Sequence, residues 1–222
     1  MNFELVKNQL SSAYNKQAKH RDNQTAQKWK TTEREFFLHT LFKEKKQRLL
    51  EIGAGPGKDS LYFNNAGLDV HSTDLCAEMV HLCQNKGLTA DVMSFDDLDF
   101  PNDSFEASWA LNCLLHVPKS DLADVLLEIR RVLQPGGLFY LGVYGGINHE
   151  GIWEEDFHQP KRYFSFYDND ALKKAVSSVF TVEAFHLISK EEIGHGIHDF
   201  QGLLLRKGKG QAYDSSQAKR GR

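Results

Sequence analysis

The chain has 222 residues, 41% hydrophobic and 26% charged, with a formal net charge of −3, which suits one α/β domain that buries its own core. That charge balance offers a polyanion no attractive field, so nucleic acid is not an expected partner, and no apolar run approaches the roughly 18 residues of a membrane span. The first ten residues lack the apolar core of a secretory signal, and Cys76, Cys83 and Cys113 form no C-x-x-C pair, so a cytoplasmic protein with reduced, partly buried thiols is expected.

Phe3, Val6, Leu10 and Tyr14 recur at spacings of three and four, which predicts an amphipathic helix. A polar break follows from Lys19 to Gln24. Thr32 and Glu35 then have capping-box spacing ahead of Phe36, Phe37, Leu38 and Leu41, predicting a second helix. Residues 1–48 are read as a helical cap or lid. From Leu49 the chain alternates short apolar runs with helical patterns, which implies βαβ units in a mostly parallel, Rossmann-like doubly wound α/β sheet with helices on both faces. Strands are predicted at Arg48–Ile52, Leu68–Thr73, Leu88–Met93, Phe105–Leu111 and Leu138–Val143, with Pro135-Gly136-Gly137 stopping the helix before the last of these. Thr181–Ile188 and Asp199–Arg206 are expected to close the sheet as an antiparallel hairpin around Gly194 and Gly196. Residues 49–207 thus form the main domain, and the Gly-, Lys- and Ser-rich tail 208–222 is expected to be disordered.

The chain is organised around Leu49 to Ser60, LLEIGAGPGKDS. An apolar strand ends in glycines at 53, 55 and 57, which admit positive φ and close approach of a ligand to the backbone. The dinucleotide fingerprint G-x-G-x-x-G fails here because Lys58 stands in place of the third glycine. In an open α/β sheet, ligands bind beyond the carboxyl ends of the strands at the switch point, so Glu51 to Gly57, Asp74, Ser94 to Asp97 and Ala110 to Asn112 should meet. Asp74 lies 21 residues beyond Gly53, the distance that brings the end of a second strand beside the loop. There it can accept from two ribose hydroxyls or cap the following helix.

The pattern E-x-G-x-G-x-G resembles motif I of the class I S-adenosylmethionine-dependent methyltransferases, and Ile129 to Gly137, IRRVLQPGG, resembles that family's R-x-L-x-P-G-G signature. The resemblance runs from about Leu49 to Lys207 and includes LDFPNDSFE at 98–106, Leu114 to Pro118 and Gly142 to Gly146; it is nearest to bacterial small-molecule methyltransferases. It implies S-adenosylmethionine as cofactor, S-adenosylhomocysteine as product and a small-molecule substrate. It assigns Gly53, Ala54, Gly55 and Gly57 to the methionine end and Asp74 to the ribose; Glu51 is read as a contact with the loop backbone or the cofactor's ammonium group, or as an acid neutralised near the helix N-terminus, and Leu75 and Met79 as covers of the adenine faces, with plain core as the alternative for Met79. Leu111 and Asn112 close strand four beside them. Where the family commonly has an aspartate for the adenine amino group this chain has Ser94, so either the Ser94 hydroxyl replaces it or Asp96 reaches in after a register shift, with the Phe95 backbone as a further adenine contact.

Methyl transfer from a sulfonium is an in-line displacement that requires alignment in a dry pocket and no metal. A general base helps only for a nucleophile that holds its proton, and His116, Tyr144 and His158 are the catalytic candidates, with His149 also near. The segment Tyr144 to Tyr167 breaks the βαβ rhythm and concentrates aromatic and acidic residues. As a substrate wall, through Tyr144, Trp153, Arg162 and Tyr163, it suits a small amine or another cationic or aromatic nucleophile; as a plain surface excursion it merely packs on the sheet. Tyr14 and the N-terminal helices are expected to close over the site. His195 and His198 share H-x-x-H spacing among glycines and are read as no metal site. An NAD-linked oxidoreductase and a binding module that keeps the fold stand as the alternatives, and a homodimer is left open.

Overall fold

The computed structural model describes residues 2–25, 27–194 and 198–209. In chain order the elements are α1 (Phe3–Asp22), α2 (Lys28–Lys43), β1 (Arg48–Ile52), α3 (Lys58–Asn65), β2 (Asp69–Asp74), α4 (Ala77–Asn85), β3 (Thr89–Val92) and β4 (Phe105–Leu111). A short 3-10 turn, Leu114–His116, precedes α5 (Leu122–Val132), β5 (Leu133–Gly145), β6 (His149–Ile152) and β7 (Tyr163–Phe166). The chain continues through α6 (Asn169–Ser177), β8 (Thr181–Ile188), α7 (Lys190–Ile193) and β9 (Asp199–Arg206).

Seven strands form one sheet in the order β3-β2-β1-β4-β5-β9-β8. The first five are parallel, and β9 pairs antiparallel with both β5 and β8. Strand order reverses at β1 and β4, so both open toward a crevice at their carboxyl ends. As expected of a doubly wound sheet, both faces are covered. Leu50 and Ile52 join Leu126, Ile129, Leu172 and Val176 on one side, whereas Leu49 meets Phe37, Phe63, Trp109 and Tyr140 on the other. That two-sided burial is why Leu49 and Leu50 stand side by side in β1 rather than alternating with polar residues. The N-terminal segment divides between two places. α2 contributes Phe37 and Leu41 to the second core, while α1 packs Phe3, Val6 and Leu10 into the first.

Three local expectations change. The Thr32/Glu35 capping box does not form: α2 begins at Lys28 after Gln27, with no side-chain cap, and Trp29, Glu33 and Arg34 are buried, so tertiary packing sets the start. β5 begins at Leu133, which pairs with Phe105, and Pro135 to Gly137 is absorbed as an irregularity before Ala107 pairs with Leu138. Between β8 and β9 lies α7, held by a capping box from Ser189 to Glu192. β6 and β7 form a separate two-stranded ribbon after β5. His195, Gly196 and the tail from 210 onward lie outside the described residues. Among the described residues no helix is long and apolar enough to cross a membrane.

Candidate active site

The loop after β1 holds three glycines at φ of 65°, 55° and 78° for Gly53, Gly55 and Gly57. A Cβ on Gly53 would stand 2.4 Å from Cys113 Cβ, and one on Gly57 2.7 Å from Cys83 Sγ, whereas one on Gly55 would meet no atom within 4 Å. Packing therefore demands the outer two glycines, and the middle one borders open space. Asp74, at the end of β2, braces this loop: Oδ2 accepts from the Gly55 N–H at 2.8 Å and Oδ1 from the Cys76 N–H at 2.8 Å. Burial pushes its pKa up, against those two donors that pull it down. Each carboxylate oxygen keeps a further lone pair for a ligand.

A cleft opens at this point. Gly53, Gly55, Asp74, Leu75, Met79 and Phe95 line it, with Leu111 and Asn112 from the end of β4. Asn112 sits at φ 56°, its N–H donates to the Gly142 carbonyl at 2.7 Å, and its Oδ1 is buried with no partner among the described residues. An acceptor orphaned in a cleft wall is suited to a ligand donor.

Not every predicted residue reaches the cleft. Glu51 lies beneath the loop, where its carboxyl group accepts from the Ser60 hydroxyl and burial, with the Asp59 charge, raises its pKa well above the usual range. Ala54 and Gly57 shape the turn through N–H bonds to Thr73 O at 2.9 Å and Ala54 O at 3.1 Å. Ser94 donates to Asp96, whose Oδ2 also receives Lys7 Nζ at 2.9 Å, and neither side chain lines the cleft. Thus neither alternative for the adenine partner is brought to it, and Phe95 alone of that trio is.

α1 roofs the cleft with Leu10, Tyr14 and Arg21. Lys58, the residue that spoils the dinucleotide fingerprint, donates to the carbonyls of Arg21, at 2.7 Å, and Gln24 at the end of this helix, where a cation also complements the helix dipole. Lys86 binds Asp22 at 2.6 Å. Leu10, Arg21, Cys76 and Cys113 are cleft residues that the sequence reading missed. Leu10, Tyr14 and Arg21 share one helical face by their spacing of four and seven, which is the signal that would have found two of them.

A buried relay joins this cleft to a second cavity. His116 Nδ1 lies 2.7 Å from the Tyr163 carbonyl, so that nitrogen carries the proton and Nε2 accepts from the Tyr14 hydroxyl, also at 2.7 Å. Arg162 Nη1 donates to Tyr14 Oη at 2.7 Å, and its Nε and Nη2 fork onto Asp156 at 2.9 and 2.8 Å. Burial, reinforced by the Arg162 charge, lowers the His116 pKa to about 3, so its imidazole is neutral. Burial opposes ionisation of Asp156 as well, but Arg162 outweighs it and holds that carboxylate below the usual range. His158 pairs with Asp156 at 3.2 Å and lies edge-on to Tyr14; it lines neither cavity.

The second cavity is lined by Tyr144, Trp153, Phe157, Phe164, Phe166 and Arg162, together with Gln27, Glu155, Asp156, Ile193 and His198. Burial pushes the Tyr144 hydroxyl up to about 12, so it stays protonated. Tyr163 turns away and donates to Glu150 at 2.7 Å. Because Tyr14 lines the first cavity, Arg162 the second, and the two are hydrogen-bonded, this pair is the partition between them.

Residues 50–141, about two fifths of the chain, match the family described as a methyltransferase domain. A sterol 24-C-methyltransferase of Gibberella zeae is 29% identical over 134 residues, covering 56% of this chain and 34% of that protein. The 27-O-demethylrifamycin SV methyltransferase of Amycolatopsis mediterranei is 33% identical over 104 residues, covering 43% and 38%. The matched segment thus spans little more than a third of these relatives. Among solved structures, the 1,6-didemethyltoxoflavin-N1-methyltransferase of Burkholderia thailandensis, with bound 1,6-didemethyltoxoflavin and S-adenosylhomocysteine, superposes with a TM-score of 0.70 at 19% identity, over 92% of this chain and 88% of that one. With the glycine loop, Asp74 and the β4 terminus all inside it, the segment 50–141 matches a methyltransferase domain, and the chain shares the fold of that solved methyltransferase.

Proposed function

We propose that the protein methylates a small molecule held in the second cavity, using S-adenosylmethionine bound in the first. The cleft residues fit that cofactor. Asp74 keeps lone pairs for ribose hydroxyls, the orphaned Asn112 Oδ1 suits an ammonium donor, and Leu75, Met79 and Phe95 offer apolar contact to a planar base. Bound there, the cofactor supplies an electrophilic methyl group on a sulfonium.

The observation that carries the proposal is the Arg162–Tyr14–His116 partition between two cavities. Tyr14 Oη gives its hydrogen to His116 and receives one from Arg162, which leaves one lone pair to hold an N–H or O–H of the acceptor. His116, with a pKa near 3, is a weak proton acceptor. The partition therefore orients the acceptor and excludes water rather than stripping a tightly held proton. Acceptors already nucleophilic at neutral pH, or mildly acidic, suit it. The thiols of Cys76, Cys83 and Cys113 are all free, in keeping with a reducing compartment such as the cytoplasm.

Calorimetric titration with S-adenosylhomocysteine, followed by mass spectrometry of a metabolite extract incubated with methyl-labelled cofactor, tests the proposal. Saturable binding and one labelled product are expected. No heat and no thermal shift with cofactor or product would overturn it. A module that had kept only the fold would bind the product and label nothing, and an NAD-linked enzyme would respond to NADH instead.

A further inference from the structure

One polar atom in the lining of the second cavity is satisfied by no described residue, and a second lies beside the lining residue Trp153. His198 lines it and is 9% exposed, and its Nε2 has no hydrogen-bond partner; His149 Nε2, on β6, is likewise buried and unpartnered. Both imidazoles meet Trp153 edge-on, with centroids 5.2 Å away for His149 and 5.4 Å for His198, and His198 lies 4.3 Å from the Phe166 ring. Leaving a buried donor or acceptor unmade costs roughly 1–3 kcal/mol. Such atoms are rare in native proteins except where a ligand or water completes them. Burial lowers the His198 pKa, so the ring presents one N–H and one lone pair rather than a charge.

Charge in the cavity restricts the occupant further. Arg162, the cavity's cation, is already paired with the Asp156 carboxylate and bonded to Tyr14, so its charge is largely neutralised before any phosphate or carboxylate arrives. Glu155 adds a negative charge at the wall. A wholly apolar polycycle would leave His198 Nε2 unsatisfied. Flat faces are supplied by Trp153, Phe164 and Phe166, the last two stacked at 5.2 Å, and such faces favour a planar ring.

We infer that the second cavity takes a planar, uncharged nitrogen heteroaromatic of one or two fused rings, stacked on the aromatic wall with a lactam-type edge hydrogen-bonded to His198 Nε2. A lactam edge places N–H and C=O side by side, so it pairs with either tautomer of the imidazole. The inference rests on the reading of this cavity as the acceptor site, and it makes His198 a specificity-determining residue.

The test titrates quinazolin-4-one and its apolar analogue naphthalene into the full chain, with and without saturating S-adenosylhomocysteine. Quinazolin-4-one is expected to bind at least about ten-fold more tightly, the equivalent of one satisfied buried hydrogen bond. His198→Phe should erase that advantage, His198→Gln should keep most of it, and Trp153→Ala should weaken both ligands. Product affinity measured in each variant certifies the fold, because none of these side chains lines the cofactor cleft. Equal binding of the two ligands, no binding of quinazolin-4-one, or an advantage that survives His198→Phe would each overturn the inference. Failure of S-adenosylhomocysteine to bind would instead strike the methyltransferase reading, and the ligand comparison without it would still decide this one.

Discussion

At the scale of single residues, Asp74 and His116 do opposite things with burial. Asp74 keeps its loop and ligand bonds despite the desolvation that raises its pKa. Asp74→Asn keeps the shape but removes the charge from these bonds, and hydrogen bonds to charged groups contribute about 1.5–3 kcal/mol. S-adenosylhomocysteine should therefore bind about 10- to 100-fold more weakly, as calorimetry would register, and unchanged affinity would remove Asp74 from the site. His116 gives up its charge. The folded protein does not protonate it until about pH 3, whereas an unfolded chain takes that proton below about pH 6.5. The unfolded state thus binds more protons across this window, and the residue makes stability fall as pH drops through it. In His116→Gln the decline of melting temperature from pH 7 to 5 should be shallower than in the parent. An equal decline would mean that the imidazole titrates normally.

Among elements, the turn from β1 into α3 separates two requirements that the sequence writes with one letter. Gly53→Ala forces a Cβ to 2.4 Å from Cys113 at positive φ, so the loop must move and both stability and cofactor affinity should drop, stability by about 2 kcal/mol or more. Gly55→Ala meets no protein atom within 4 Å, so its stability loss should stay near the 1 kcal/mol of the φ change. Its Cβ stands at the cleft, and S-adenosylhomocysteine affinity should fall out of proportion to stability. Parallel denaturant melts and titrations of the two variants check this, and identical behaviour would show that the cleft does not begin at Gly55.

For the whole molecule, a ligand that binds only the folded state at a hundred times its dissociation constant contributes about 2.7 kcal/mol. S-adenosylhomocysteine at that excess should raise the melting temperature, and NADH should leave it unchanged. The architecture behind this was largely legible. β1, β4, β8 and β9 occupy the residues that the sequence indicates; in β1, β4 and β9 burial on both faces concentrates apolar side chains, whereas the edge strand β8 is only partly buried. The start of α2 was not legible, since burial of Trp29 and Arg34 overrides the local capping signal. Nor was the β6–β7 ribbon, whose four-residue strands are too short to show a period. In the site, Gly53, Gly55 and Asp74 announce themselves through backbone chemistry and spacing. Glu51 and Tyr163 turn toward Ser60 and Glu150, on other elements, Ser94 turns to Asp96, which Lys7 holds from α1, and the roof contributed by Arg21 likewise depends on tertiary packing.

The three free thiols give this roof a clock. Cys76 and Cys113 stand in the cleft wall at 2% and 9% exposure, and Cys83 beneath Gly57 at 1%. Burial raises all three pKa values, Cys76 and Cys83 to about 12, so the closed protein is nearly inert to alkylation. Each modification event then requires a local opening of the packing around a thiol, so the rate at which label accumulates would count such openings.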